Sequence, residues 1–364
     1  MISVANRPDL AGLVPDAARE ALAEHFAARG QPGYRASQVL GWLHERLVFS
    51  FAEMTDLPLA ERDALTEAFD LSALATEKVS RSTDGTAKHL WRLRDGELIE
   101  SVLIPAAKRL TLCISSQAGC AMACTFCATG WMGYQRQLTA GEIVAQYRGA
   151  RAWAEENGYG EISNIVFMGM GEPLMNRKAV FPALSILNRA YGVGARRITV
   201  STVGIAPAVD EMSAMPEQYR LAVSLHAPNH ELRQELVPVE KKYPLPILME
   251  ALRGFDAAGG KRITFEYVMI DGVNDSPELA DQLVALVGEF NAFVNLIPFN
   301  PIPATNWLPS PPARLRAFAG RLERAGISVF VREPRGRDIA AACGQLKAEA
   351  TEGRLVRLGG RGEG

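Results

Sequence analysis

Three cysteines, Cys120, Cys124 and Cys127, form a C-x3-C-x2-C run directly after an apolar stretch of this 364-residue chain. That spacing suits an iron–sulfur cubane held by only three protein ligands. Ferredoxin-type runs supply four cysteines and saturate every iron, whereas three leave one iron of a reducing centre open to a substrate. A structural zinc is the plain alternative, but it prefers paired C-x2-C units with a fourth Cys or His in closed tetrahedral geometry. Here the first spacing is one residue too long, and the five histidines show no partner spacing near the loop.

Elements able to position such a loop follow from the patterning. The length fits one large α/β domain with a small appendage. A hydrophobic fraction of 48% with 22% charged residues is that of a soluble globular chain. No stretch reaches the length of a membrane span, and the first residues, MISVANRPDLAG, lack a secretory layout. Five cysteines with three in one loop make a poor disulfide framework. A reducing compartment, the cytoplasm, is expected.

The net charge of −2 gives no bulk attraction to nucleic acid. Basic residues do cluster at Arg196 and Arg197, Lys241 and Lys242, Arg332, Arg335 and Arg337, and Arg354, Arg357 and Arg361. Such patches hold phosphates or are simply solvated surface.

Residues 1–76 read as a helical module. Asp16 is the expected N-cap before AAREALAEHFAARG, followed by RASQVLGWLHERLV and LAERDALTEAFD, each with apolar residues three and four apart. A two-stranded ribbon is expected over 77–108, in KHLWRLR and LIESVLI, with turn signals at Asp84-Gly85 and Asp95-Gly96. From residue 109 to 345, six apolar strands alternate with amphipathic helices: RLTLCIS, SNIVFMG, RITVSTV, RLAVSLH, ITFEYVMI and FVNLIPF. Strands rich in Val, Ile and Leu have both faces covered, and right-handed crossovers curl such an array into a partial (β/α)6 barrel. A last strand, ISVFVRE, the segment RGRDIAAACGQL and a basic tail, 346–364, follow.

In α/β barrels chemistry gathers at the carboxyl ends of the strands. The first strand ends in the cysteine loop, the second in Gly169-Met170-Gly171-Glu172-Pro173, the third near Ser201, the fourth in Ser224-Leu225-His226, and the sixth at Asn300.

The cysteine loop followed by a GEP motif resembles radical S-adenosylmethionine (SAM) enzymes. The runs LCISSQAGCAMACTFCATG, FMGMGEPLMN, SLHAPN, VPVEKKYP, EYVMIDGVND, NLIPFNP and IAAACGQL, spread in order over residues of about 35 to 350, resemble the RlmN/Cfr family of RNA adenine methyltransferases. The resemblance implies a radical SAM barrel, a [4Fe-4S] cluster on Cys120, Cys124 and Cys127, and SAM chelating the open iron, where an electron splits its sulfonium to a 5′-deoxyadenosyl radical. It implies that Gly169 and Gly171 let the chain pass close to the methionine moiety and that Glu172 accepts from its ammonium group. Ser201, Ser224, Leu225, His226 and Asn300 would complete the contacts. Each has a plainer reading: GEP as a turn, His226 as a satisfied strand-end histidine, Asn300 as a turn former before Pro301.

The family's target explains the need for radicals. C2 of adenine is electron-poor and does not attack an electrophilic methyl group. A protein sulfur first takes the methyl as a nucleophile and then presents it for hydrogen abstraction. Cys343 matches the methyl-carrying cysteine and Cys113 its partner, which forms a disulfide with it as the base is released; they stand 230 positions apart. Glu100, in GELIESVLIP, matches the acceptor of the C2 proton. The plainer readings are a buried strand thiol, a cysteine packed in a helix, and a solvent-facing ribbon glutamate.

The implied substrate is an adenosine of 23S ribosomal RNA at the peptidyl transferase centre, with tRNA near the anticodon as a second, and a flavodoxin-like or ferredoxin-like electron donor. Open alternatives are a Cfr-type C8 methyltransferase, a radical SAM enzyme acting on a non-RNA substrate, and a non-catalytic RNA-binding protein with a structural metal. The acidic N-terminal helices suit recognition through shape and stacking better than a phosphate clamp. Trp131-Met132-Gly133-Tyr134 departs from the Gln-rich segment expected there.

Overall fold

The computed structural model describes residues 7–259 and 262–346; the basic cluster at Arg354, Arg357 and Arg361 lies outside them. The N-terminal helices are α1 (Pro15–Ala28), α2 (Tyr34–His44) and α3 (Leu59–Ala68). Their apolar faces meet in a core of their own, with Leu22, Phe26, Val39, Leu43 and Leu65. Asp16 is not the cap: Pro15, with its fixed φ and missing N–H, starts the helix, which leaves Asp16 in the first turn and Val14 at the cap position.

The ribbon has three strands, not the two expected: β1 (Ala75–Arg81), β2 (Ala87–Arg92) and β3 (Leu98–Ala106). Most of β1 is exposed, so ATEKVSR carries none of the alternation that marks a half-buried strand. The two turns fall where the Asp-Gly pairs stand. Asp84 and Asp95 accept hydrogen bonds from the N–H groups of Thr86 (2.9 Å) and Glu97 (3.1 Å), and Gly85 and Gly96 take φ of 86° and 91°.

β3 pairs antiparallel with β4 (Arg109–Cys113), so the ribbon continues into the main sheet. A separate hairpin of β5 (Gln117–Gly119) and β6 (Tyr134–Gln137) brackets the cysteine loop. β4 then pairs parallel with β7 (Ile162–Phe167), followed in order by β8 (Ile198–Thr202), β9 (Arg220–Ser224), β10 (Ile263–Met269), β11 (Phe293–Pro298) and β12 (Ser328–Val331). The six expected strands are all present in parallel order, and ISVFVRE adds its strand beside β11. Among the described residues the sheet has ten strands, and no ladder joins its edges β1 and β12. Yet the segment after β12 reaches the β1–β2 turn: the Ser82 hydroxyl donates to Asp338 (2.6 Å) and the Gly336 N–H to Asp84 (3.0 Å). The sheet is therefore curled until its ends approach, as right-handed β–α crossovers demand.

The helices follow in turn: α4 (Ala128–Met132), α5 (Ala140–Glu156), α6 (Arg177–Arg189), α7 (Ala206–Ser213), α8 (His230–Leu236), α9 (Leu245–Ala257), α10 (Pro277–Val287) and α11 (Pro312–Arg324). A capping box of Thr139 and Glu142 starts α5, and Ser276 caps α10. Their buried faces, with Leu184, Leu187, Leu252, Leu283 and Leu322, join the strand residues in one large core. None of the described helices is long and apolar enough to cross a membrane.

Candidate active site

β4 ends at Cys113, and the chain turns into the cysteine loop under backbone control. The Cys120 N–H bonds the Gly133 carbonyl (2.9 Å), the Cys127 N–H the Cys124 carbonyl (3.2 Å), and the Thr125 N–H the Leu236 carbonyl (3.1 Å). Gly130 has no room for a side chain: a Cβ there would stand 2.9 Å from the Cys124 carbonyl oxygen. The loop opens onto a cavity of about 150 Å3 lined by Cys120, Cys124, Cys127, Glu172, His226 and Cys343, among others. Three thiols from one short segment thus face one space.

The donors fit the implied cluster. A cubane with one open iron takes three cysteine ligands, and Cys120, Cys124 and Cys127 all line the one cavity. Burial pushes the Cys120 thiol up to about 12, and Cys124 and Cys127 are also raised by burial, with neighbouring thiols adding to Cys124. Three crowded thiolates need the positive charge of a metal centre, and the loop supplies little of its own.

Glu172 is 2% exposed, and its carboxylate accepts from the N–H groups of Leu174 (3.0 Å) and Val203 (2.8 Å). Burial pushes it up to about 7 despite those bonds, so an ammonium placed in the cavity would find a carboxylate poised to ionise. The glycines before it pack tightly against the protein. A Cβ on Gly169 would stand 2.6 Å from the Ile114 carbonyl oxygen, and one on Gly171, at φ 102°, 2.6 Å from Gln117 Cβ. They let the GEP turn lie flat on the segment leading into the cysteine loop, and both line the cavity.

Ser201 and Ser224 line the cavity. His226 does too, at a strained φ of 61°, with Nδ1 accepting from the Val268 N–H (3.0 Å) and its ring edge-on to Phe126. Burial, with Arg233 nearby, pushes it down to about 3, so it is neutral. Leu225 does not reach the cavity lining: it is fully buried, its N–H bonds the Glu266 carbonyl and its carbonyl accepts from Arg233. Asn300 lines the cavity, but both ends of its amide hold other parts: Nδ2 donates to the Cys343 carbonyl (3.0 Å) and Oδ1 accepts from Arg337 (3.0 Å).

Cys343 lies in a loop, not a helix, in the same cavity as the three clustered cysteines. The residue is exposed, yet its surroundings raise its thiol, burial first, with Arg332 opposing and Glu266 and Cys127 adding. Cys113 is buried at the end of β4; burial raises its thiol, and Cys343 is the next cause, so the two sulfurs sense each other across 230 positions of sequence. Both are free thiols. Glu100 is no solvent-facing ribbon residue. It is 0% exposed and paired with Lys88 at 2.8 Å, and its carbonyl accepts from the Ser115 hydroxyl (2.6 Å) at the start of the cysteine loop. It is not among the residues that line the cavity.

Two residues escaped sequence reasoning. Glu266 is 3% exposed and lines the cavity, with Oε1 bonded to Asn295 (2.8 Å) and Oε2 without a hydrogen-bond partner among the described residues. A glutamate inside the apolar run ITFEYVMI was the available signal, because such residues are rarely buried without a task. Arg233, fully buried, pairs with Glu240 and holds the carbonyls of Leu225 and Val203, which clamps two strand ends together. A basic residue of an amphipathic helix gave no such hint.

A curled parallel sheet with a three-cysteine loop and a GEP turn at its carboxyl end is the arrangement of a radical SAM enzyme, and residues 114–283 match the model of the Radical SAM superfamily. Residues 14–71 match the Ribosomal RNA large subunit methyltransferase N-terminal domain. The chain is 53% identical over 350 residues, 96% of its length and 95% of the relative's, to a Gemmatimonas aurantiaca protein named Probable dual-specificity RNA methyltransferase RlmN. It is 47% identical to the Dual-specificity RNA methyltransferase RlmN of Halorhodospira halophila, over 93% of this chain and 94% of that one. The solved structure of a radical SAM methyltransferase from Sphaerobacter thermophilus superposes with a TM-score of 0.89 at 44% identity, covering 94% of this chain and 99% of that one. This chain belongs to the RlmN family of radical SAM RNA methyltransferases, whose cofactors are a [4Fe-4S] cluster and SAM.

Proposed function

We propose that this protein methylates C2 of a specific adenosine in 23S ribosomal RNA at the peptidyl transferase centre, and of the adenosine next to the anticodon in tRNA. The name dual-specificity carried by its relatives supports two substrates. The observation that carries the reading is Cys343: a cysteine outside the C-x3-C-x2-C run lines the cavity shared by Cys120, Cys124 and Cys127.

In this reading Cys120, Cys124 and Cys127 hold the cluster, while Glu172, Ser201, Ser224, His226 and Asn300 orient SAM. When bound, the pair supplies an electron and a carbon radical able to abstract hydrogen from a methyl group. The chain's own residues do the rest. Cys343 carries the methyl on its sulfur and brings that carbon to C2. At release Glu100 accepts the C2 proton, the carbon–sulfur bond breaks, and the sulfurs of Cys343 and Cys113 join. The Cys113 thiol proton ends, net, on the carbon to complete CH3, and one electron leaves, which needs an acceptor of the iron–sulfur class. Burial keeps the Cys113 thiol protonated until that moment. A flavodoxin-like or ferredoxin-like protein is the reductant, and the enzyme works in the cytoplasm beside its RNA.

Anaerobically reconstituted protein, reductant and SAM should convert adenosine to 2-methyladenosine in protein-free ribosomal RNA and in tRNA, read by digestion and chromatography. Recovery of 8-methyladenosine would overturn the reading.

A further inference from the structure

β2 and β3 pair so that Lys88 stands opposite Val102, and Glu100 lies two residues along from it. Val102 in turn stands opposite Cys113 on β4. Lys88, Val102 and Cys113 therefore form one lateral row on one face of the sheet, with Glu100 on the same face by the period of two. Lys88 is 3% exposed, an unusual fate for its type. Its Nζ lies 2.8 Å from Glu100 Oε1 and 3.3 Å from the Ala340 carbonyl oxygen.

That second contact gives the ion pair a use. Ala340, at φ 50°, belongs to the loop that delivers Cys343 three residues later. The rest of the ribbon grips the same loop, through Ser82 and Thr83 to Asp338 (2.6 and 3.2 Å) and Asp84 to Gly336 (3.0 Å). Among the described residues of this clasp, Lys88 also touches the carboxylate. An interior ion pair gains little net stability over apolar packing, so it marks position more than it adds strength.

We propose that Lys88 is a positioning residue that ties the Glu100 carboxylate to the Cys343 loop, setting the acceptor of the C2 proton against the sulfur that holds the RNA. The proposal rests on the reading of Glu100 as proton acceptor and Cys343 as methyl carrier. Without Lys88 the methyl would still load and join the base, but the C2 proton would leave slowly and the RNA would stay bonded to Cys343.

The test compares Lys88→Met, Lys88→Arg and Glu100→Gln as reconstituted holoenzymes on ribosomal RNA. Three quantities are followed: methyl on Cys343 by intact mass, covalent protein–RNA adduct on denaturing gels, and 2-methyladenosine. Lys88→Met should load methyl normally, accumulate adduct and release product at least about tenfold more slowly, a smaller loss than removal of a general base brings. Lys88→Arg should restore most of the release rate. In the metal-free protein, iodoacetamide should alkylate Cys343 of Lys88→Met severalfold faster, because the loop has lost a tether. Release at the normal rate without adduct, or equal loss of methyl loading and release, overturns the proposal. If Glu100→Gln itself releases product normally, the role of Glu100 fails instead. Should Lys88→Met not fold, Lys88→Gln carries the same expectations and the same overturning outcomes.

Discussion

Two loops bring cysteines to one cavity, and they are built in opposite ways. The loop bearing Cys120, Cys124 and Cys127 is held in large part from within, by Cys127 to Cys124, Gly130 to Cys127 and the Trp131 indole to the Thr125 carbonyl (3.0 Å), and is anchored at Thr125 to the distant Leu236 carbonyl. The loop bearing Cys343 is held from afar, by Ser82, Asp84, Lys88, Ala128, Thr129 and Asn300. The first can be specified by local spacing. The second exists only once the sheet has curled and its distant parts have met, so its geometry depends on every element between.

The largest effect should come from the local loop. Cys127→Ser, assayed after anaerobic loading, should show no stable reducible cluster by its visible absorbance and neither SAM cleavage nor methylation; a variant that still cleaves SAM would break the division of labour between the loops. Cys343→Ala should be more selective. It keeps the cluster absorbance and SAM cleavage but transfers no methyl to RNA, and transfer by this variant would remove the distant loop from the chemistry.

A smaller effect concerns the tether of the distant loop. Burial alone would raise the Asp84 carboxyl, but hydrogen bonds from Thr86, Gly336 and Ser82 outweigh it and hold the group down at about 2. A carboxyl depressed on folding stabilises above its ordinary range and loses that contribution as pH falls, here from about 4 to 2. Asp84 is only partly buried, so after solvent screening the stake is about 1 kcal/mol. Melting curves across that window should fall less steeply for Asp84→Asn than for the unaltered protein. Parallel slopes would show that the tether carries no such share.

Legibility followed the same divide. The six core strands and their helices were readable because apolar periodicity is local, and the Asp-Gly turns because their residues dictate their own backbone. β1 was not, since an exposed strand has no pattern to betray it. The start of α1 differs from the expected Asp16 cap because Pro15 outranks Asp16 as a helix opener. At the site, Cys120, Cys124, Cys127, Glu172, Ser201, Ser224, His226, Asn300 and Cys343 all reach the cavity. Leu225 does not, because its backbone is spent on Glu266 and Arg233. Gly169 and Gly171 line the cavity as well, and the protein atoms opposite each missing Cβ were not legible in the sequence.

The amino-acid order alone determined the cysteine spacing, the succession of strands and helices, and which residues fall at strand ends, because each is set within a few turns of chain. Only the tertiary structure decided that Cys343 would enter the cavity beside Cys127, that Cys113 would lie within electrostatic reach of it, and that Lys88 would join Glu100 to the loop between them. Those meetings cross up to 250 or so residues and follow from the curl of a twisted sheet, a property of many strands together that no single segment encodes.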